Sequence, residues 1–100
     1  KGIAHITGGG LVENIPRILP DRCGVEIQKG SWPSLPIFDV MQSISDVGEG
    51  EMYRAFNMGI GMVFIVDSAN VDNVKDVLKE LIEVYEIGKV LSGNGKVIIK

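Results

Sequence analysis

The sequence holds one cysteine, one histidine and one tryptophan, and each scarcity closes off a class of chemistry. Cys23 alone cannot form an internal disulfide, which fits a reducing, cytoplasmic setting. It reads as a small apolar residue near a strand start, not as a nucleophile, because only His5 could partner it. One His and one Cys cannot assemble a metal centre with the scattered carboxylates, so no metal site is expected. Basic residues are also sparse: 10 Lys and Arg stand singly against 13 Asp and Glu, giving a net charge of −3. No basic patch emerges, which argues against nucleic acid. No apolar stretch approaches the ~20 residues of a membrane span, and nothing reads as a signal peptide. A Walker loop ending in Gly-Lys-Ser/Thr and a Gly-x-Ser-x-Gly elbow are both missing. Asp46, Glu49 and Glu51 form an acidic stretch whose simplest reading is a solvated face.

What is plentiful is apolar material. Hydrophobic residues make up 45% of the 100 residues, enough for the core of one small domain. Glycine is also abundant, and three glycines stand together at Gly8-Gly9-Gly10, after Ala4-His5-Ile6-Thr7 and before Leu11-Val12-Glu13-Asn14. Each fixed glycine costs roughly 0.5–1 kcal/mol relative to alanine, so three in a row ask for a reason. A strand, a glycine turn and a helix start can aim free backbone N–H groups at one point, which suits a phosphate. A tight turn that binds nothing explains the glycines equally well. Both readings stand at this level, and His5 belongs either to the turn or to the core or strand face.

Along the chain, Gly2–Thr7 reads as a strand and Leu11–Leu19 as a short helix, with Pro16 near its start and Pro20 stopping it. Cys23–Lys29 alternates apolar and polar, predicting a strand with one wet face. Residues 30–36 form a linker with Pro33 and Pro36, where Trp32 caps the core. Ile37–Ile44 is amphipathic, and Ser45–Gly50 is a polar loop. Val63–Val66 is a continuous apolar run, the pattern of a buried central strand. Asn70 suits an N-cap, and Val71, Val74, Leu78, Leu81 and Ile82 stripe the helix behind it, ending within Glu83–Tyr85. Tyr85–Leu91 and Lys96–Ile99 read as strands about a hairpin turn at Ser92-Gly93-Asn94-Gly95. The expected architecture is α+β, a mixed sheet layered with about three helices.

Two blocks go beyond pattern. His5-Ile6-Thr7-Gly8-Gly9-Gly10 with Glu13-Asn14-Ile15-Pro16-Arg17-Ile18-Leu19-Pro20 closely resembles the aminoimidazole ribonucleotide synthetases, the phosphoribosylformylglycinamidine cyclo-ligases of purine biosynthesis. Glu51-Met52-Tyr53-Arg54-Ala55-Phe56-Asn57-Met58-Gly59-Ile60-Gly61-Met62 resembles that family's other C-terminal signature. Both occur in the right order, and the resemblance spans nearly the whole chain, roughly the last third of such an enzyme. It implies an ATP-dependent ligase using magnesium. The formyl oxygen of formylglycinamidine ribonucleotide is activated as an iminophosphate, and the amidine nitrogen closes the imidazole ring, releasing ADP and phosphate. It further implies a homodimeric parent enzyme with an N-terminal ATP-handling domain. Residue by residue, it carries over Thr7, Gly8, Gly9 and Gly10 as the turn facing the substrate phosphate. Asn14 and His5 are its neighbours, His5 being the one catalytic candidate. For Arg54 and Asn57, holding the loop onto the sheet competes with substrate contact.

The chain opens at Lys1 and enters a strand almost at once, so residues 1–100 are expected to be part of a C-terminal domain, partnered by the remainder of their own polypeptide. Such a piece should bind no cofactor alone and expose a sticky apolar face, with self-association through the edges at Gly2–Thr7 or Lys96–Ile99. The rival readings are a stand-alone module for a small ligand or phosphate and a purely structural domain.

Overall fold

The computed structural model describes residues 1–100. Its first strand, β1 (Gly2–His5), runs into the glycine turn and then the helix α1 (Gly10–Asn14). The predicted nine-residue helix is only five residues long, and Ile15–Ile18 tighten into a 3-10 turn. Pro16 is the reason: it has no N–H to donate, and its ring crowds the carbonyl four residues back, so the α ladder stops there. Strand β2 (Cys23–Ile27) follows as expected. Helix α2 (Pro36–Ser45) starts on a proline, where the missing N–H costs nothing, and is closed by Asp46 in the left-handed region at φ 55°.

Helix α3 (Glu49–Ala55) begins inside the expected polar loop Ser45–Gly50 and runs on through residues for which no element was expected. Its signal was charge order: Glu49 and Glu51 in the first turn, Arg54 in the last, complementing the backbone dipole. With α4 (Val71–Leu78) the chain has four α-helices. Asn70 stands at the N-cap position of α4, as expected, but its side chain makes no capping hydrogen bond. It sits in a 3-10 turn, Ser68–Asn70, which feeds the helix directly. The helix also ends before the expected Glu83–Tyr85, leaving Leu81 and Ile82 in a frayed, exposed turn.

The fold is α+β with a mixed sheet, but the strands divide between two sheets. Strand β3 (Met62–Ile65) pairs antiparallel with β1 alone. The buried central strand expected around Val63–Val66 is therefore a ribbon with one inner face. Val63 and Ile65 turn inward, whereas Met62 and Phe64 are 52% and 40% exposed. In the other sheet β2 is central, between β4 (Gly88–Ser92), antiparallel, and β5 (Val97–Ile99), parallel. The predicted hairpin does not form, because β4 and β5 flank β2 instead of pairing with each other. Their connection wraps the start of β2: Gly93 N–H donates to Arg22 O at 2.9 Å, and Gly95 N–H to Cys23 O at 2.7 Å. Glycine is required there, since a side-chain carbon on Gly93 would lie 2.9 Å from Gly24 N.

Ala4, Ile6, Leu11, Ile15, Val25, Ile27, Trp32 and Ile60 form the core that joins the two sheets to the glycine turn. It is thin: 12 of 100 residues are buried. Beside it an apolar groove of about 380 Å³ opens between Ile27, Val63, Ile65, Val74 and Leu78.

Candidate functional site

The Thr7–Gly10 turn is built from below by one side chain. Asn14, buried at 3% exposure, donates through Nδ2 to Gly10 O at 2.9 Å, Thr7 O at 3.2 Å and Gly8 O at 3.3 Å. Its Oδ1 accepts from the Thr7 hydroxyl at 3.2 Å. Gly10 N–H closes the turn on Thr7 O at 3.0 Å.

The three glycines serve different ends. Gly10, at φ 62°, lies so close to the end of α3 that a side-chain carbon would overlap the carbonyl oxygens of Tyr53 and Phe56. The first sequence block thus touches the second through main-chain atoms. Gly9 adopts φ 101°, where only glycine is comfortable, and the Glu13 side chain leans against it. Gly8 has no such duty: its φ is not positive, and nothing lies within 4 Å of where a side chain would begin. No backbone or side-chain acceptor meets the N–H groups of Gly8 and Gly9. The carboxylate of Glu13 sits at the mouth of the turn, its Oε2 2.6 Å from the position a Gly9 side-chain carbon would take.

The other sequence candidates lie apart or serve structure. His5 is exposed at the end of β1 opposite Met62 and makes no hydrogen bond to the protein. Its exposed place on the strand face belongs to the second reading given for it, core or strand face, and not to the turn. Asn57 holds a tight turn, its Oδ1 accepting from Gly59 N–H at 2.9 Å while Ile60 N–H donates to its carbonyl at 3.0 Å. Arg54 is exposed and unpaired.

Sequence reasoning missed a cluster of Lys29, Glu49 and Tyr53. Lys29 hydrogen-bonds Glu49, which raises its pKa above the ordinary lysine value. Burial, with Glu49 adding to it, raises that of the Tyr53 phenol. The i, i+4 spacing of Glu49 and Tyr53 would have joined these two had α3 been recognised. No three His, Cys, Asp or Glu side chains converge into a cation site.

Comparison with known proteins adds to this geometry. The family described as AIR synthase related protein, C-terminal domain, matches residues 1–100. A phosphoribosylformylglycinamidine cyclo-ligase of Lactobacillus acidophilus is 52% identical over 103 residues, covering 99% of this chain and 30% of its own length. That of Thermoanaerobacter sp. strain X514 is 50% identical over 100 residues, with the same coverage of 99% and 30%. The protein of that name from Bifidobacterium longum subsp. infantis is 50% identical over 91 residues, 90% of this chain and 26% of its own. The chain spans about 30% of the length of the first two of these curated relatives. With its whole length matched, this chain belongs to the AIR synthase related protein family, as a C-terminal domain.

Proposed function

We propose that the chain is the C-terminal part of a phosphoribosylformylglycinamidine cyclo-ligase, an ATP-dependent ligase that closes the imidazole ring of formylglycinamidine ribonucleotide to give aminoimidazole ribonucleotide, ADP and phosphate. The observation that carries this reading is the 52% identity over 103 residues to a relative of that name. The reading places the enzyme in the cytoplasm as a homodimer. No helix is long and apolar enough to cross a membrane. ATP and magnesium act in the parent enzyme. The carboxylates of this chain do not converge into a site for magnesium, so residues elsewhere in the parent enzyme would hold it.

Within that enzyme the Thr7–Gly10 turn holds the phosphate of the ribonucleotide. Support comes from the unpartnered N–H groups of Gly8 and Gly9, and from Gly8 having neither a conformational nor a packing need for glycine. A helix of five residues adds little dipole, so the main-chain donors carry the contact. His5 is kept as a candidate for proton transfer only in the complete enzyme, where other residues can reach the exposed strand face.

The test uses the complete enzyme of which this sequence is the C-terminal part, assayed for aminoimidazole ribonucleotide with substrate, ATP and magnesium. Turnover is expected, and its absence in a folded enzyme overturns the assignment. Gly8→Ala should raise KM for the ribonucleotide at least tenfold, about 1.4 kcal/mol, with a smaller change for ATP. Unchanged constants would make the glycines a turn and nothing more.

A further inference from the structure

We propose that in the complete enzyme a segment preceding Lys1 adds a strand between β3 and β4, filling the apolar groove and joining the two sheets into one. This rests on the reading of the chain as the C-terminal part of a longer enzyme. The match covers 30% of the first two relatives, which leaves 70% of each outside it.

The groove is bordered by strand edges, not strand faces. A strand seen face-on contributes every second residue. Here consecutive residues, Met62–Ile65 of β3 and Gly88–Val90 of β4, line the groove. Both strands are terminal in their sheets, β3 pairing only with β1 and β4 only with β2. The ladders fix which main-chain groups are left over. Ile6 N–H donates to Gly61 O, so the register gives Val63 and Ile65 to β1 and turns the N–H and C=O of Phe64 the other way. Gln28 N–H donates to Ile87 O, which by the same alternation gives Lys89 and Leu91 to β2 and turns Val90 outward. No turn or loop bond satisfies Phe64 or Val90. Met62-Val63-Phe64-Ile65 also lacks the charges and prolines that guard a free edge.

The surroundings define the occupant as extended and apolar. Val71, Val74 and Leu78 of α4 line the groove, yet no residue of α4 is fully buried. A strand laid between β3 and β4 would bring apolar side chains against that stripe. Its source is the same polypeptide. The Lys1 amino group donates to Ile65 O at 2.6 Å, and Lys1 Nζ pairs with Asp67 at 3.1 Å, so residues before Lys1 arrive at the end of β3 that borders the groove. A tethered segment meets the groove at an effective concentration of about millimolar, ahead of any second copy.

The experiment is amide hydrogen exchange on the complete enzyme, read at single residues. Phe64 and Val90 should exchange at least roughly a hundredfold more slowly than unstructured amides. Exchange of both near the unstructured rate overturns the proposal. Protection that disappears when the enzyme is diluted about a hundredfold belongs to a second copy, and overturns it too. A cross-link then identifies the covering segment. With p-benzoylphenylalanine in place of Val90, irradiation of the complete enzyme should join this position to a peptide that precedes Lys1. In enzyme assembled from a mixture of 14N- and 15N-labelled chains, the joined peptides should carry one isotope. A link only to residues 1–100, or one that mixes isotopes, counts against the idea. Turnover assayed on the same preparation keeps this inference apart from the functional reading. An active enzyme with fast exchange at Phe64 and Val90 removes the inserted strand alone. A folded, inactive enzyme in which both amides are protected removes the cyclo-ligase reading and keeps the strand.

Discussion

The indole N–H of Trp32 donates to the carbonyl oxygen of Met58 at 2.9 Å, joining the linker after β2 to the turn before β3. Met58 sits at φ 55° and Gly59 at φ 96°, so the indole holds a turn that is strained at a non-glycine residue. Trp32→Phe keeps a ring in the core but leaves the Met58 carbonyl without its donor. A loss of about 1–3 kcal/mol is expected, measured by urea unfolding, and an unchanged midpoint would show that the bond contributes nothing.

Gly10 and Gly8 should separate cleanly in stability. Gly10→Ala drives a methyl group into the Tyr53 and Phe56 carbonyls and should cost more than about 3 kcal/mol, or prevent folding. Gly8→Ala enters open space and should stay within about 1 kcal/mol of the native protein. Thermal melts of the two variants decide it. Equal losses would mean that the close approach of α3 to the turn is not what demands glycine.

Glu13 sets a negative charge at the mouth of the same turn. Glu13→Gln removes the repulsion an incoming phosphate meets and should tighten inorganic phosphate binding about two- to fivefold, more at low salt than at high. Weaker binding after the substitution would mean that the carboxylate assists the site.

Raising the pH should destabilise the protein through Lys29 and Tyr53. The hydrogen bond that Lys29 donates to the Glu49 carboxylate holds the Lys29 pKa above the ordinary 10.5, and burial raises that of Tyr53 above 10.0. Both groups therefore bind their protons more tightly folded than unfolded. Their contribution is intact below the unfolded values and is lost as pH rises through the folded ones. Glu49→Gln removes the partner of Lys29 and should shrink the alkaline loss seen between urea midpoints at about pH 8 and pH 11. An identical pH slope in the variant would separate Glu49 from the effect.

The outer face of the β1–β3 ribbon should drive self-association. Ile3, 61% exposed, lies opposite Phe64, with Met62 beside them. A two-stranded ribbon is marginal in water without a covering layer. Phe64→Lys should lower the sedimentation-derived mass toward the monomer and reduce binding of a hydrophobic dye. A native chain that is monomeric at every concentration removes the case for this face.

Much of this fold was legible because local pattern and final structure agree. The alternation over Cys23–Lys29 and the amphipathic spacing of Ile37–Ile44 place β2 and α2 within a residue or two. The misreadings share a cause, since each depended on partners distant in sequence. An apolar run such as Met62–Ile65 looks the same whether one face or two will be covered. The glycines of Gly93-Asn94-Gly95 announced a reversal, but not that β2 would lie inside it. Helix α3 was hidden because its apolar contribution is essentially Met52, too little for a periodic stripe. In the candidate site the glycine turn was visible as composition. What composition cannot carry is direction: that Asn14 points inward, and that Gly10 is spoken for by Tyr53 and Phe56.

The seating of β2 between two strands from the far end of the chain also governs the order of events during folding. Val25 must await Val97, roughly seventy residues later, before its second ladder can close. Until then one edge of the sheet, with Val25 and Ile27 on it, is open to any extended segment nearby. Contacts so remote in sequence close slowly. A polypeptide leaving the ribosome would therefore hold β2 unpaired until Gly88–Ser92 emerged, and paired on one side only until Val97–Ile99 followed. Deleting those three residues would leave the 3-stranded sheet permanently in that interrupted state.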